Sequence, residues 1–283
     1  MQFLNNNKND QHSFLINHEV IIINSLQKFL QKRVVEDYKI YALYKKFLEF
    51  MCSNIQTPKF KINYTSSNID NNIKYSAQVN LYRKPIILNI NIAQYDLKNI
   101  NSKATMFHEF THIFDYYNFE QYLTDIEIKQ GFKLYSEFHA TQISLLYEYN
   151  IIDNIKQSFD SFNFNDKQIK LKSITQLIEL NKKGQHYYNT CKEYIENSNF
   201  DNFDRVKVAY MYTIAITILL KNLLNIEPRV LTFINPYKRP YQEIVDILSN
   251  THYSLLPELK TLRLIGKIDQ LVTDDFCKKQ KIH

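Results

Sequence analysis

Two histidines four residues apart, with a glutamate directly after the first, form the run His108-Glu109-Phe110-Thr111-His112. On a helix, positions i and i+4 lie one above the other on the same face. Both imidazoles can therefore ligate one metal ion, while Glu109 projects beside them toward a water bound to that ion. The chemistry this spacing serves is hydrolysis, with zinc as the ion and the glutamate as general base.

The helix that must carry these groups is predicted to start at a cap formed by Asn101 or Ser102. It bears Ala104, Met106, Phe107, Phe110, Ile113, Phe114 and Tyr117 around much of its circumference, so it should be largely buried and hold its ligands rigidly. Asp115 shares a stripe with His108 and His112. It either accepts a hydrogen bond from the far nitrogen of a metal-bound histidine or stands exposed near the helix end.

A catalytic zinc site usually has three protein ligands and an open position. Thr124 to Glu127 reads as a capping box, opening a second long helix through Leu134, Phe138, Leu145 and Leu146 to about Asn150. Within it, Glu137 lies 25 residues beyond His112, enough chain for one helix to end, turn and return across the first. Small residues at Ala140, Thr141 and Ser144 on the same face allow close approach, which makes Glu137 the expected third ligand. His139 lies about 200° around the helix from Glu137 and is expected to be an exposed or packed histidine. Glu127 and Glu148, near the helix ends, fit capping or solvated roles better.

Three alternating segments precede the first helix: Phe60, Ile62 and Tyr64; Tyr75, Ala77, Val79 and Leu81; and Ile86, Leu88, Ile90 and Ile92. They predict a small sheet, with Tyr82-Arg83-Lys84-Pro85 joining the last two strands as a hairpin. An exposed edge of such a sheet can bind an extended peptide by strand addition; it can equally serve only to complete the core.

These residues resemble the gluzincin-type zinc metallopeptidases and, among them, the ImmA/IrrE group, known for cleaving phage-type and stress-response repressors. The resemblance rests on His108-Glu109-x-x-His112, on Glu137-x-x-Ala140 and on the preceding strands, over roughly residues 58–150. Two features depart from that group: Thr111 where glycine is common, and Thr141-Gln142-Ile143-Ser144 where Asn-x-Phe-Ala is common. The motif is also similar to that of thermolysin, whose relatives place an aspartate where this chain has Thr141.

The resemblance implies a zinc metalloendopeptidase with one Zn2+ per chain on His108, His112 and Glu137, and Glu109 as catalytic base. Its substrate would be a protein or peptide, a phage-type or stress-response regulator in the nearest group. It also implies a Tyr or His that donates to the oxyanion. Tyr187, Tyr188, Tyr210, Tyr212 and His186 all qualify, among 21 tyrosines. The rival reading is a zincin-fold binding or regulatory protein, or a phage or plasmid structural protein, without peptidase activity.

The fold expected is α+β and predominantly helical, with a small β-sheet before the zincin-type active-site helix and helical additions at both ends. Its parts are an N-terminal helical segment (1–57), a catalytic core (58–150) and a C-terminal helical region packed on that core (151–283). At 283 residues and 45% hydrophobic content the chain can bury a large core. Helical spacing marks residues 14–32 and 37–54. After a polar stretch from Asn150 to about 166, it marks roughly 167–182, 185–198, 204–225, 239–250 and 254–271.

Val208 to Leu220 is uncharged, but 13 helical residues span about 20 Å against roughly 30 Å of bilayer hydrocarbon, too short to cross, so the segment is expected to be a buried core helix, with an interfacial helix as the alternative. The polar start, Met1 to Ser13, lacks the apolar stretch of a signal peptide. Together with three scattered cysteines, Cys52, Cys191 and Cys277, it favours a cytoplasmic protein with reduced thiols. The net charge of +6 is spread along the chain apart from a short Lys278-Lys279-Gln280-Lys281 tail, so no nucleic-acid binding is predicted.

Overall fold

The structure is a computed structural model that describes residues 36–53, 60–65, 77–91, 96–156, 178–187, 203–224, 240–251 and 256–280, with the single residues 175 and 189. The expected helix at 14–32 and the position of Tyr75 lie outside the described residues, as does much of 157–202. The fold is α+β and mostly helical, with one three-stranded sheet.

Helix α1 covers residues 36–50. It is followed by β1 (Phe60–Thr65), β2 (Ala77–Asn80) and β3 (Ile86–Asn91). Then come α2 (Ile100–Phe119), α3 (Ile126–Glu148), α4 (residues 178–187), α5 (Phe203–Leu224), α6 (Pro240–Ser249) and α7 (Leu259–Gln280). Two compact units are distinguishable, Met1–Lys46 and Phe47–His283, and the sheet and helices α2 to α7 belong to the second.

Alternation of buried and half-exposed residues makes β3 the centre of the sheet, with Ile86, Leu88 and Ile90 buried on one face. β1 pairs with it in parallel (Ile62 opposite Leu88) and β2 antiparallel (Val79 opposite Leu88). Leu81 to Pro85 forms the turn between β2 and β3, as the hairpin expectation required. The strand order β1-β3-β2 leaves β2 as an edge among the described residues, and that edge lies against α2.

Aromatic packing fixes α2. Phe107 stacks on Tyr147 of α3 with ring centroids 3.7 Å apart, and meets Phe47 and Phe50 edge-on at 5.4 and 5.7 Å. Such pairs contribute about 0.5–1.5 kcal/mol each beyond their buried area. On its other side α3 packs against α7 and α5.

Two of the chain's three glycines face each other across the α3–α7 crossing. A Cβ on Gly131 would lie 1.8 Å from the Leu262 carbonyl oxygen, and one on Gly266 would lie 1.9 Å from the Glu127 carbonyl oxygen. The helices touch backbone to backbone there, which no other residue type permits.

Several boundaries differ from the sequence expectation. Asn99, not Asn101 or Ser102, caps α2, accepting the Asn101 N–H at 2.9 Å; Ser102 is buried in the first turn and accepts from the Asp96 N–H. Asp125, not Thr124, caps α3, its carboxylate accepting from Glu127 and Ile128 at 3.0 and 3.2 Å while Arg263 of α7 binds its other oxygen at 2.8 Å. An ionised acceptor held by an arginine outcompetes the neighbouring hydroxyl. α3 ends at Glu148 because Asn150 adopts a left-handed φ of 49°, and the Ile151 N–H then bonds the Leu146 carbonyl.

α4 runs straight through the break expected between 182 and 185, since Gly184 is buried in the helix and Lys183 is held by Glu148. α7 starts at Leu259 and continues to Gln280, beyond the expected end near 271. The uncharged stretch of α5 is a core helix, with Met211, Ile214 to Ile216 and Ile218 to Leu220 buried. No described helix is long and apolar enough to cross a membrane.

The glycine contact gives a test with an unambiguous sign. In an exposed helix Gly→Ala stabilises by about 1 kcal/mol. Gly131→Ala should instead cost roughly 2 kcal/mol or more from overpacking, lowering the thermal midpoint by about 4 °C or more in a calorimetric scan.

Candidate metal centre

α2 and α3 bring His108, His112 and Glu137 together, with one ligating atom from each within 4.8 Å of the others. The two Nε2 atoms are 3.1 Å apart, and Glu137 Oε2 lies 3.6 Å from that of His108 and 3.7 Å from that of His112. Ligands about 2.0–2.1 Å from a tetrahedral zinc stand roughly 3.3–3.4 Å from one another. Two imidazoles and a carboxylate at these separations fit a divalent ion.

Burial tunes the three groups differently. It pulls His112 down to about 4, so this ring is neutral near pH 7. Burial opposes ionisation of Glu137, but the neighbouring His112 and His108 outweigh it and hold the carboxylate at about 2. Burial also works against charging His108, yet the nearby carboxylates of Glu137, 3.6 Å away, and Glu109 leave it above its ordinary value.

Behind the site runs a buried hydrogen-bonded chain. His112 Nδ1 lies 2.8 Å from Ser136 Oγ, the Ser136 hydroxyl donates to Asp115 Oδ2 at 3.1 Å, and His139 Nδ1 lies 2.9 Å from Asp115 Oδ1. Asp115 is fully buried, and His139 and Ser136 are only 2% and 3% exposed. A carboxylate only accepts, so the Ser136 proton points to Asp115 and the Ser136 oxygen accepts from His112 Nδ1–H. That direction fixes the His112 tautomer and leaves its Nε2 lone pair facing the site.

Of the two readings of Asp115, exposure does not hold, and the link to the histidine passes through Ser136 rather than directly. His139, expected to be exposed or packed, is packed, and it is also Asp115's second partner. Ser136 was missed because a serine in a buried helix carries no signal of its own.

Glu109 sits beside the site but outside the donor triad. It is buried, and its Oε2 accepts the backbone N–H of Val79, on the edge strand, at 2.7 Å. Burial raises this carboxyl to about 7, against the pull of His108 and of the Val79 N–H. A group balanced near neutrality can both take and return a proton.

Tyr212 closes the site from α5. Its hydroxyl donates to Glu137 Oε2 at 3.2 Å and its ring meets His108 edge-on. Burial and the Glu137 charge hold that hydroxyl well above the usual phenol range, so it remains a proton donor. Of the other residues considered, Tyr187 packs edge-on against Tyr212 and Tyr210 is buried within α5. The His186 ring lies against Tyr187, and Tyr188 is outside the described residues. Glu148 binds Lys183, and Glu127 faces Arg263 and Lys267, so neither joins the donor set.

Compared with protein-family models, curated proteins and solved structures, the chain gives no match.

Ser136→Ala removes the acceptor that orients His112 while leaving the three donors in place. It should weaken divalent-ion binding by about 10–100-fold. Competition against a chromophoric chelator measures this, with circular dichroism reporting an unchanged fold.

Proposed function

We propose that this chain is a zinc-dependent endopeptidase of the gluzincin type, with His108, His112 and Glu137 as ligands and Glu109 as general base. The observation that carries the reading is the position of Glu109: buried, poised near neutrality, and set between the donor triad and β2, an edge strand among the described residues. A structural metal site needs no such group, and a binding module has no use for it.

Zinc, when bound, supplies a Lewis acid that acidifies water and polarises a carbonyl oxygen. The residues do the rest. The edge of β2 lines up an extended chain by strand addition, with the scissile carbonyl toward His108 and His112. Glu109 leaves the Val79 N–H, takes a proton from the attacking water, and hands it to the departing amide nitrogen. The Tyr212 hydroxyl, already aimed at Glu137, donates to the oxygen on which negative charge develops. Repressor-type regulators remain the substrate class suggested by the resemblance to the ImmA/IrrE group.

Zinc content by elemental mass spectrometry, together with cleavage of a fluorogenic peptide library, tests the reading. Wild type and Glu109→Gln should each carry about one zinc per chain, whereas His112→Ala and Glu137→Ala should lose most of it. Glu109→Gln should lower kcat by roughly 100-fold or more despite full loading. Protein that stays metal-free after zinc reconstitution overturns the proposal.

In the same assay Tyr212→Phe should reduce kcat by about 100-fold with little change in KM. An unchanged kcat would remove Tyr212 from the oxyanion role.

A further inference from the structure

Two cavities of about 810 and 460 Å3 open onto the metal centre and share Ala77 of β2, His108, Glu109 and Tyr212 as walls. They leave it in opposite directions along the helices. The larger follows α3 over 130–137 and α5 from Tyr212 back to Arg205; the smaller follows α3 from Thr141 to Glu148 and α5 on to Ile216. Together they flank the candidate metal centre on both sides, and the β2 edge borders the larger. That shape suits an extended chain on both sides of a central bond better than a compact small molecule.

The two arms differ in charge. In the smaller, Lys183 is bonded to both oxygens of Glu148 at 2.6 and 2.9 Å, so its ionic groups cancel. The larger is lined by three cations, Lys133, Arg205 and Lys207. Lys207 is committed to Asp269 at 2.9 Å and Thr273 at 3.0 Å, which ties α5 to α7. Lys133 and Arg205 are exposed, and among the described residues neither forms an ion pair or hydrogen bond. The remaining carboxylates of that arm, Glu109 and Glu137, are bonded within the metal centre. Two positive charges without a counter-ion among the described residues favour a negative group in the cavity and disfavour a positive one.

We infer that the larger arm is a subsite for an acidic side chain of an extended polypeptide, Glu or Asp, held by Lys133 and Arg205 on one flank of the scissile bond. The assignment of a scissile bond rests on the peptidase reading; the subsite itself rests on the cleft and its charges. Because both cations are partly solvated, each pairing contributes modestly, and an acidic residue should be favoured over its amide by about three- to tenfold. The preference should shrink as salt is raised.

The test uses fluorescein-labelled decapeptide pools in which Glu, Gln or Lys is fixed at one position at a time. Cleavage is followed with the zinc-loaded wild type, and binding by anisotropy with zinc-loaded Glu109→Gln. Both are repeated with Lys133→Gln/Arg205→Gln, whose exposed positions leave the fold intact by circular dichroism. The expected result is a preference for Glu over Gln over Lys at one position on a single side of the cut, abolished in the double variant.

Cleavage with no charge preference, or a preference that survives the double variant, overturns the subsite and leaves the peptidase reading standing. Absence of cleavage, with Glu-fixed pools still bound through Lys133 and Arg205, overturns the peptidase reading and supports the subsite as a peptide-binding cleft. Pools neither cleaved nor bound overturn both.

Discussion

A carboxylate with no contact with solvent has to be compensated by hydrogen bonds, and Asp115 finds Ser136 and His139 on another helix. Ser136 and His139 come from α3, so satisfying Asp115 fixes how α3 lies across α2. The same geometry carries Glu137 to His108 and His112, because Ser136 and Glu137 are adjacent in sequence and point to neighbouring sectors of the helix. If the two helices rotated apart, Asp115 would lose its partners as His108 and His112 lost Glu137. Folding and assembly of the site are thus the same event on this face of the molecule.

Around that contact the molecule adds constraints that differ in kind. The aromatic cluster about Phe107 is dispersive and non-directional, and sets how deeply α2 sits. The Lys207–Asp269 pair is largely buried and links α5 to α7, so that α5 presents Tyr212 to Glu137 at a fixed height. The sheet meets the site through β2, which supplies the N–H that holds Glu109 and the edge that borders the larger cavity.

Much of this was legible in the residues. The spacing of His108, Glu109 and His112 is a local property of one helix, and Glu137 could be reached from it because the intervening chain had room for one turn. The strands showed in strict alternation. Legibility failed where a choice depended on a distant partner. Asp125 wins the cap of α3 over Thr124 with the help of Arg263, far along the chain. The link from His112 to Asp115 passes through Ser136, which only the crossing of two helices reveals. Tyr212 lies in a stretch whose composition reads as core, which it is, and its role comes from a hydroxyl that finds Glu137 across 75 residues of sequence. The scarcity of glycine was plain, but that two of the three meet each other is a fact of tertiary structure.

The glycine contact also bears on how the cleft can move. Side chains that interdigitate can slip by changing rotamer, whereas two backbones in direct contact offer no such freedom. Sliding α7 along α3 by one residue would drive Leu262 or its neighbours into the α3 backbone, so these two helices behave as one stiff strut. One wall of the larger cavity is therefore held against sliding. Any widening must come from the opposite wall, where the short β2–β3 hairpin meets α2 through few contacts and its turn is open to solvent.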